Sequence, residues 1–96
     1  RLGVGIVPSH MARRLRRAVG LPEAEGLLVR FVEEGSPAEA AGIQQGDLIV
    51  GAGGEPVTNA DELLRVLDGL QPGTTVELEL LRGTDERSAS VTLTAG

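Results

Sequence analysis

The stretch GSPAEAAGIQQGDLIVGAGG, from Gly35 to Gly54, limits what this chain can fold into more than any other. Glycine stands at positions 35, 42, 46, 51, 53 and 54, too often for a helix and too irregularly for a linker. Ile43, Leu48, Ile49 and Val50 fall between those glycines at set places. The spacing reads as a chain turned sharply several times around a small core, because glycine reaches backbone conformations closed to other residues. Ser36 has the form of an N-cap, Pro37 suits the first helical position, and Gly42 suits a left-handed stop, which gives a helix of barely two turns. Gly46-Asp47 then makes an abrupt entry into a strand centred on Leu48 to Val50, with Asp47 able to accept hydrogen bonds from nearby backbone amides. Neither GxxxxGK[ST] nor a post-strand GxGxxG occurs in the stretch, so its glycines read as scaffold and not as a phosphate cradle.

The flanking segments fill in the order of elements. LGVGIV (Leu2 to Val7) is a β-prone run loosened by Gly3 and Gly5 and stopped by Pro8. Ser9 suits the N-cap of a helix over roughly residues 10 to 19, ended by Gly20 and Pro22. On that helix Met11, Leu15, Ala18 and Val19 are expected to face inward, leaving the arginines of MARRLRR on the wet side. LLVRFV (Leu27 to Val32) reads as a strand with Leu27, Val29 and Phe31 on its more buried face and Leu28, Arg30 and Val32 on the other. Pro56-Val57 forms a short edge piece. Asn59 caps a longer helix, ADELLRVLDGL, whose Asp61 and Glu62 suit the positive end of the helix dipole. In the remainder, Val76, Leu78 and Leu80 alternate with Glu77 and Glu79, and Val91 and Leu93 alternate with Ser90, Thr92 and Thr94, the period-two pattern of a half-buried hairpin. The sum is one small β-rich α+β domain over residues 1–96.

Composition narrows the functions open to it. A domain of 96 residues hides only somewhat more than ~60% of its unfolded surface, and its core must be aliphatic because Phe31 is the sole aromatic residue. Sites that stack bases or sugars on rings are therefore disfavoured. A net charge of -5 disfavours general nucleic-acid binding. No apolar run approaches a membrane span, and the absence of cysteine removes disulfides and thiolate metal sites. The single histidine, His10, has no acid at hydrogen-bonding spacing, and no G-x-S-x-G or G-N-S-G stretch is present. Neither catalysis by the domain alone, nor a metal, nor a cofactor is expected.

With these residues in view, GLLVRFVEEGSPAEAAGIQQGDLIVGAGGEPV resembles the central signature of bacterial PDZ domains. LGVGI resembles their carboxylate-binding loop and peptide-pairing strand, ADELLRVLDGLQPG their groove helix, and VELELLRG with SVTLT their closing strands. The helical insertion after the first strand is similar to that of HtrA-type, trypsin-like serine proteases. The resemblance implies a PDZ-like small, partly open β-barrel or sandwich capped by two helices, with an extra helix after the first strand, cut from a longer protease chain. It implies a non-catalytic domain that recognises C-terminal peptide tails of unfolded or target proteins and communicates with the protease domain of its own chain, in an extracytoplasmic compartment. A PDZ module of a non-proteolytic secretion or scaffold protein, or of another protease class, is the alternative.

The resemblance also assigns residues. A peptide can add itself to an exposed strand edge, with main-chain hydrogen bonds giving grip and pockets giving specificity. The amides of Leu2, Gly3 and Val4 would converge on the terminal carboxylate, and Val4, Gly5 and Ile6 would pair with the peptide. Leu2, Val4, Ile6, Leu64 and Leu67 would wall the pocket for the last side chain. Ala60 stands where many eukaryotic PDZ domains place a histidine, so hydrophobic tails are expected in preference to hydroxyl-bearing ones. Helical spacing sends Leu63, Val66 and Leu70 to the core and Ala60, Leu64 and Leu67 or Asp68 toward the groove. Arg1 could add charge attraction to the carboxylate, although it abuts Leu2 where HtrA-type domains have intervening residues.

Overall fold

The computed structural model describes residues 2–7, 9–21 and 25–93, excepting the side chain of Ser9. The expectations placed on Arg1, Pro8, Pro22, Thr94 and the capping side chain of Ser9 lie outside the described residues. The chain runs β1 (Val4–Val7), α1 (Ser9–Ala18), β2 (Leu27–Val32), α2 (Pro37–Ala40), β3 (Leu48–Ala52), β4 (Glu55–Pro56), α3 (Ala60–Asp68), β5 (Thr75–Arg82) and β6 (Asp85–Thr92). All strand pairs are antiparallel, in the order β1-β2-β3-β5-β6 with β4 pairing to β3, so among the described residues β1 and β6 end the sheet and the two-residue β4 is a further short edge. This is the α+β architecture expected, with α1 as the insertion after the first strand.

The glycine-rich stretch does what its spacing demands. Gly35, Gly42, Gly46, Gly53 and Gly54 all have positive φ, between 60° and 95°, and each turns the chain at an element boundary. Ser36 caps α2 by accepting a 3.2 Å bond from the Glu39 amide, and Asn59 caps α3 by accepting one of 2.9 Å from the Glu62 amide. Asp47 is fully buried at the entry to β3. Its carboxylate accepts a 2.9 Å bond from the Gln44 amide and a bidentate pair of bonds, 2.8 and 2.9 Å, from Arg82 of β5. The same guanidinium donates to the Gly42 carbonyl at 3.1 Å, so one side chain ties the turn after α2 to the sheet. The hydrogen bonds from Arg82 to Asp47 push the guanidinium's pKa further up, with charge attraction adding to the effect and desolvation opposing it.

The core lies between the sheet and the helices. Leu27, Val29, Ile49, Leu78 and Val91 are almost wholly hidden at its centre, and the alternation read in the last two strands is present, with Val76, Leu78, Leu80, Ala89, Val91 and Leu93 inside. The four residues of α2 make one turn where barely two were expected, and the edge piece is Glu55–Pro56 rather than Pro56-Val57. Two expectations about side-chain placement also fail. Phe31 is 50% exposed, because β2 carries an extra residue opposite β1. Gly5 faces Phe31 while Ile6 faces Val29, which leaves Arg30 unmatched and reverses the parity of everything after it. Val32 therefore turns toward the core in place of Phe31.

The second failure is α1. Among its described side chains Ala12 and Arg16 are the buried ones, whereas Met11, Leu15, Ala18 and Val19 face solvent, Val19 at 72% exposure. The helix is turned relative to its apolar stripe. Arg16, only 4% exposed, donates to the Gly83 carbonyl in the β5–β6 turn at 3.1 Å, and this satisfied cation occupies the inward position that the stripe was expected to fill. On its outer side Arg13 forms a loose 3.7 Å ion pair with Glu25.

Candidate functional site: a groove between β1 and α3

The open edge of β1 and the helix α3 enclose a groove of about 340 Å³. Its strand wall is Leu2, Val4 and Ile6; its helix wall is Ala60, Leu63, Leu64 and Leu67. Gly3 lies at one end, and two carboxylates, Glu33 and Asp68, stand at its rim. The lining is mainly apolar with a few polar groups, the usual make-up of a ligand cleft.

The loop before β1 is held from behind. The Leu2 carbonyl accepts a 3.0 Å bond from the Ala38 amide at the start of α2, and the Gly3 carbonyl accepts one of 2.7 Å from the Glu33 amide. Among the described residues, neither the Leu2 nor the Gly3 N–H has an acceptor within the chain. Gly3 has φ +84°, and a Cβ built on it would come within 2.3 Å of the Ser36 Cβ, so this position admits glycine alone. The Glu33 carboxylate would lie 3.3 Å from that same Cβ position. Gly5 permits a different close approach: a Cβ there would be 2.0 Å from the Phe31 ring, which covers the side of β1 turned away from the groove.

On α3 the faces separate as helical spacing requires. Leu63 is 3% exposed and belongs to the core, and Val66 and Leu70 pack against it. Leu64 is 53% exposed and lines the groove, while Leu67 both packs on the core and lines the groove. The start of the helix is secured by Thr58, whose amide donates to Glu62 at 3.0 Å and whose hydroxyl donates to the same oxygen. The hydroxyl bond is the largest of the causes that hold the Glu62 pKa below the ordinary carboxylate value.

The strand edge, the loop and the helix wall thus bring together Leu2, Gly3, Val4, Ile6, Ala60, Leu64 and Leu67 as the sequence suggests, with Gly5 on the pairing strand but facing away. Leu63 and Glu33 also border the groove, which the sequence did not indicate. Leu63 contributes from beneath; Glu33 arrives because the β1–β2 register sets Val32 opposite Val4 and so carries the next residue to Gly3. Among the described residues no group of histidine, cysteine and acidic side chains is placed to hold a metal ion.

An open-edged strand beside an apolar helix, with a backbone loop at its head, defines a small domain built to offer a groove. The sequence pattern of the PDZ domain matches residues 1–93, and the chain belongs to the PDZ domain family. It is similar to a probable periplasmic serine endoprotease DegP-like of Rhizobium meliloti (strain 1021), with 40% identity over 95 residues, 99% of this chain and 18% of that protein. It is similar also to a putative serine protease HhoA of Synechocystis sp., with 40% identity over 71 residues, 74% of this chain and 18% of that one. The chain therefore spans about a fifth of the length of these curated relatives, as their non-catalytic PDZ part. Among solved structures, the HtrA3 PDZ domain bound to a phage-derived ligand (FGRWV) superposes with a TM-score of 0.79 at 26% identity, covering 96% of this chain and 83% of that one. The HtrA-type protease AlgW with decapeptide shares the fold, with a TM-score of 0.81 at 23% identity over 100% of this chain and 30% of that one.

Proposed function

We propose that this domain serves an HtrA-type serine protease by recognising hydrophobic C-terminal tails, which lie in the groove as an added strand on β1. The observation that carries the reading is the edge itself. Among the described residues β1 pairs with β2 alone, and its free side opens onto the apolar groove under α3. A tail running along Val4, Gly5 and Ile6 exchanges main-chain hydrogen bonds with that side and sets its last side chain among Leu2, Val4, Ile6, Leu64 and Leu67. The Leu2, Gly3 and Val4 amides receive the terminal carboxylate. Support comes from the related HtrA3 domain, whose bound ligand FGRWV ends in valine. The periplasmic naming of the DegP-like relatives supports an extracytoplasmic setting and a protease domain in the same longer chain as the partner of this one.

A matched pair of hydrophobic peptides, one with a free acid terminus and one amidated, tests carboxylate capture by titration. The free acid binds with an affinity on the order of micromolar, or ~8 kcal/mol, and the amide binds more weakly. Equal binding of the two rejects the role given to Leu2, Gly3 and Val4.

A further inference from the structure

Asp68 has no evident part in holding the fold together. It is exposed, it is the last residue of α3, and no ion pair reaches it among the described residues. An anion there is also poorly placed for the helix, whose C-terminal end already carries the negative pole of the backbone dipole. Arg65, one turn earlier, lines a different hollow with Glu55, Pro56 and Glu62 and leaves the groove side of the helix without a described cation. The negative ends of carboxylate and helix therefore add at the rim, directly after Leu64 and Leu67.

We propose that the groove selects peptides carrying, beside the hydrophobic last residue, an arginine or lysine whose aliphatic stem crosses the exposed outer side of Leu64 and whose charge meets Asp68. The inference rests on the reading that the groove holds an extended peptide, and it adds a cationic position to the hydrophobic tail. The stem of a long basic side chain covers apolar surface while its head stays in water. The half-exposed Leu64 and the neighbouring Asp68 offer both surfaces in the right order. With a chain charge of -5, long-range attraction helps any basic peptide, whereas Asp68 favours a basic residue at one position only.

The test is a lysine scan through a neutral hydrophobic peptide, titrated into the chain at low ionic strength beside alanine and glutamate versions. One position gains roughly threefold to fivefold in affinity over alanine, the range of a good exposed ion pair, and glutamate at that position loses affinity. The gain shrinks in high salt and disappears in Asp68→Asn, while Glu86→Gln on the far edge strand, an equal change of charge, retains it. A flat scan, a uniform gain at every position, or a gain that persists in Asp68→Asn overturns the proposal. The neutral parent peptide separates this from the groove reading. If the parent binds and loses binding in Leu64→Glu but the scan is flat, the charge inference alone falls; if the parent binds without dependence on Leu64, both fall.

Discussion

Two adjacent leucines on α3 give opposite results if the groove is where the structure places it. Leu63 is 3% exposed, so Leu63→Ala forfeits nearly the whole burial of the side chain and leaves a cavity, at a cost of ~2 to 5 kcal/mol. For a domain of this size, each kcal/mol lowers Tm by roughly 4 to 8 °C, so the variant melts at least about 8 °C lower and is a serious fraction of the way to unfolding. Leu64 is 53% exposed, so Leu64→Glu gives up only about half of a leucine's ~1.5 to 3 kcal/mol burial. The new carboxylate also stands three residues after Asp61 and four before Asp68, and each such like-charged pair costs a further ~0.2 to 0.5 kcal/mol. The total is about 1 to 2.5 kcal/mol, smaller than for a deeply buried leucine, yet a charge set in the apolar wall abolishes peptide binding. Urea or thermal denaturation with parallel peptide titration reads both quantities. The assignment of helix faces is refuted if Leu64→Glu binds peptide normally, or if it destabilises the fold more than Leu63→Ala does.

Three further changes probe what supports the groove. Gly5→Ala sets a Cβ against the Phe31 ring, forces the ring aside and lowers stability, and Phe31→Ala in the same chain recovers most of the loss; a double variant no better than the single one refutes the ring contact. Thr58→Val removes the hydroxyl bond that depresses the Glu62 pKa. A depressed carboxylate stabilises the fold fully above its ordinary pKa and loses that contribution as pH falls through the depressed value. The deficit of the variant is therefore largest near neutral pH and narrows on acidification below 4.5, and a gap unchanged at pH 3 contradicts the assignment. Arg82→Met strands the buried Asp47 carboxylate and lowers Tm, and adding Asp47→Asn restores part of it because a neutral amide is less costly to bury unpaired. Failure of that rescue refutes the ion pair's role.

Much of the fold was legible because its signals are local. Ser36, Pro37 and Gly42 announce α2, Asn59 announces α3, and the alternation of Val76, Leu78 and Leu80 announces a one-sided strand; each depends on residues within a few positions. The groove wall was legible for the same reason, since helical spacing alone separates Leu63 from Leu64. What escaped depends on distant partners. The bulge opposite Gly5 is set by pairing between two strands, and it moves Phe31 out and Val32 in although the residues of β2 alternate normally on paper. The rotation of α1 is fixed by Arg16 reaching a carbonyl 67 residues away, a partner that no periodicity within the helix can reveal. Arg82 was likewise invisible as the companion of Asp47, 35 residues apart, although the need of a buried aspartate for some donor was plain.

Amide hydrogen exchange over residues 2–7, with and without a hydrophobic free-acid peptide at saturation, puts the strand-addition account to its most direct test. The amides of this segment that point away from β2 exchange quickly in the free chain and become strongly protected when the peptide docks, with those of β6, at the far end of the sheet, unchanged. Saturable peptide binding that leaves residues 2–7 as fast as before, or that protects β6 instead, contradicts it.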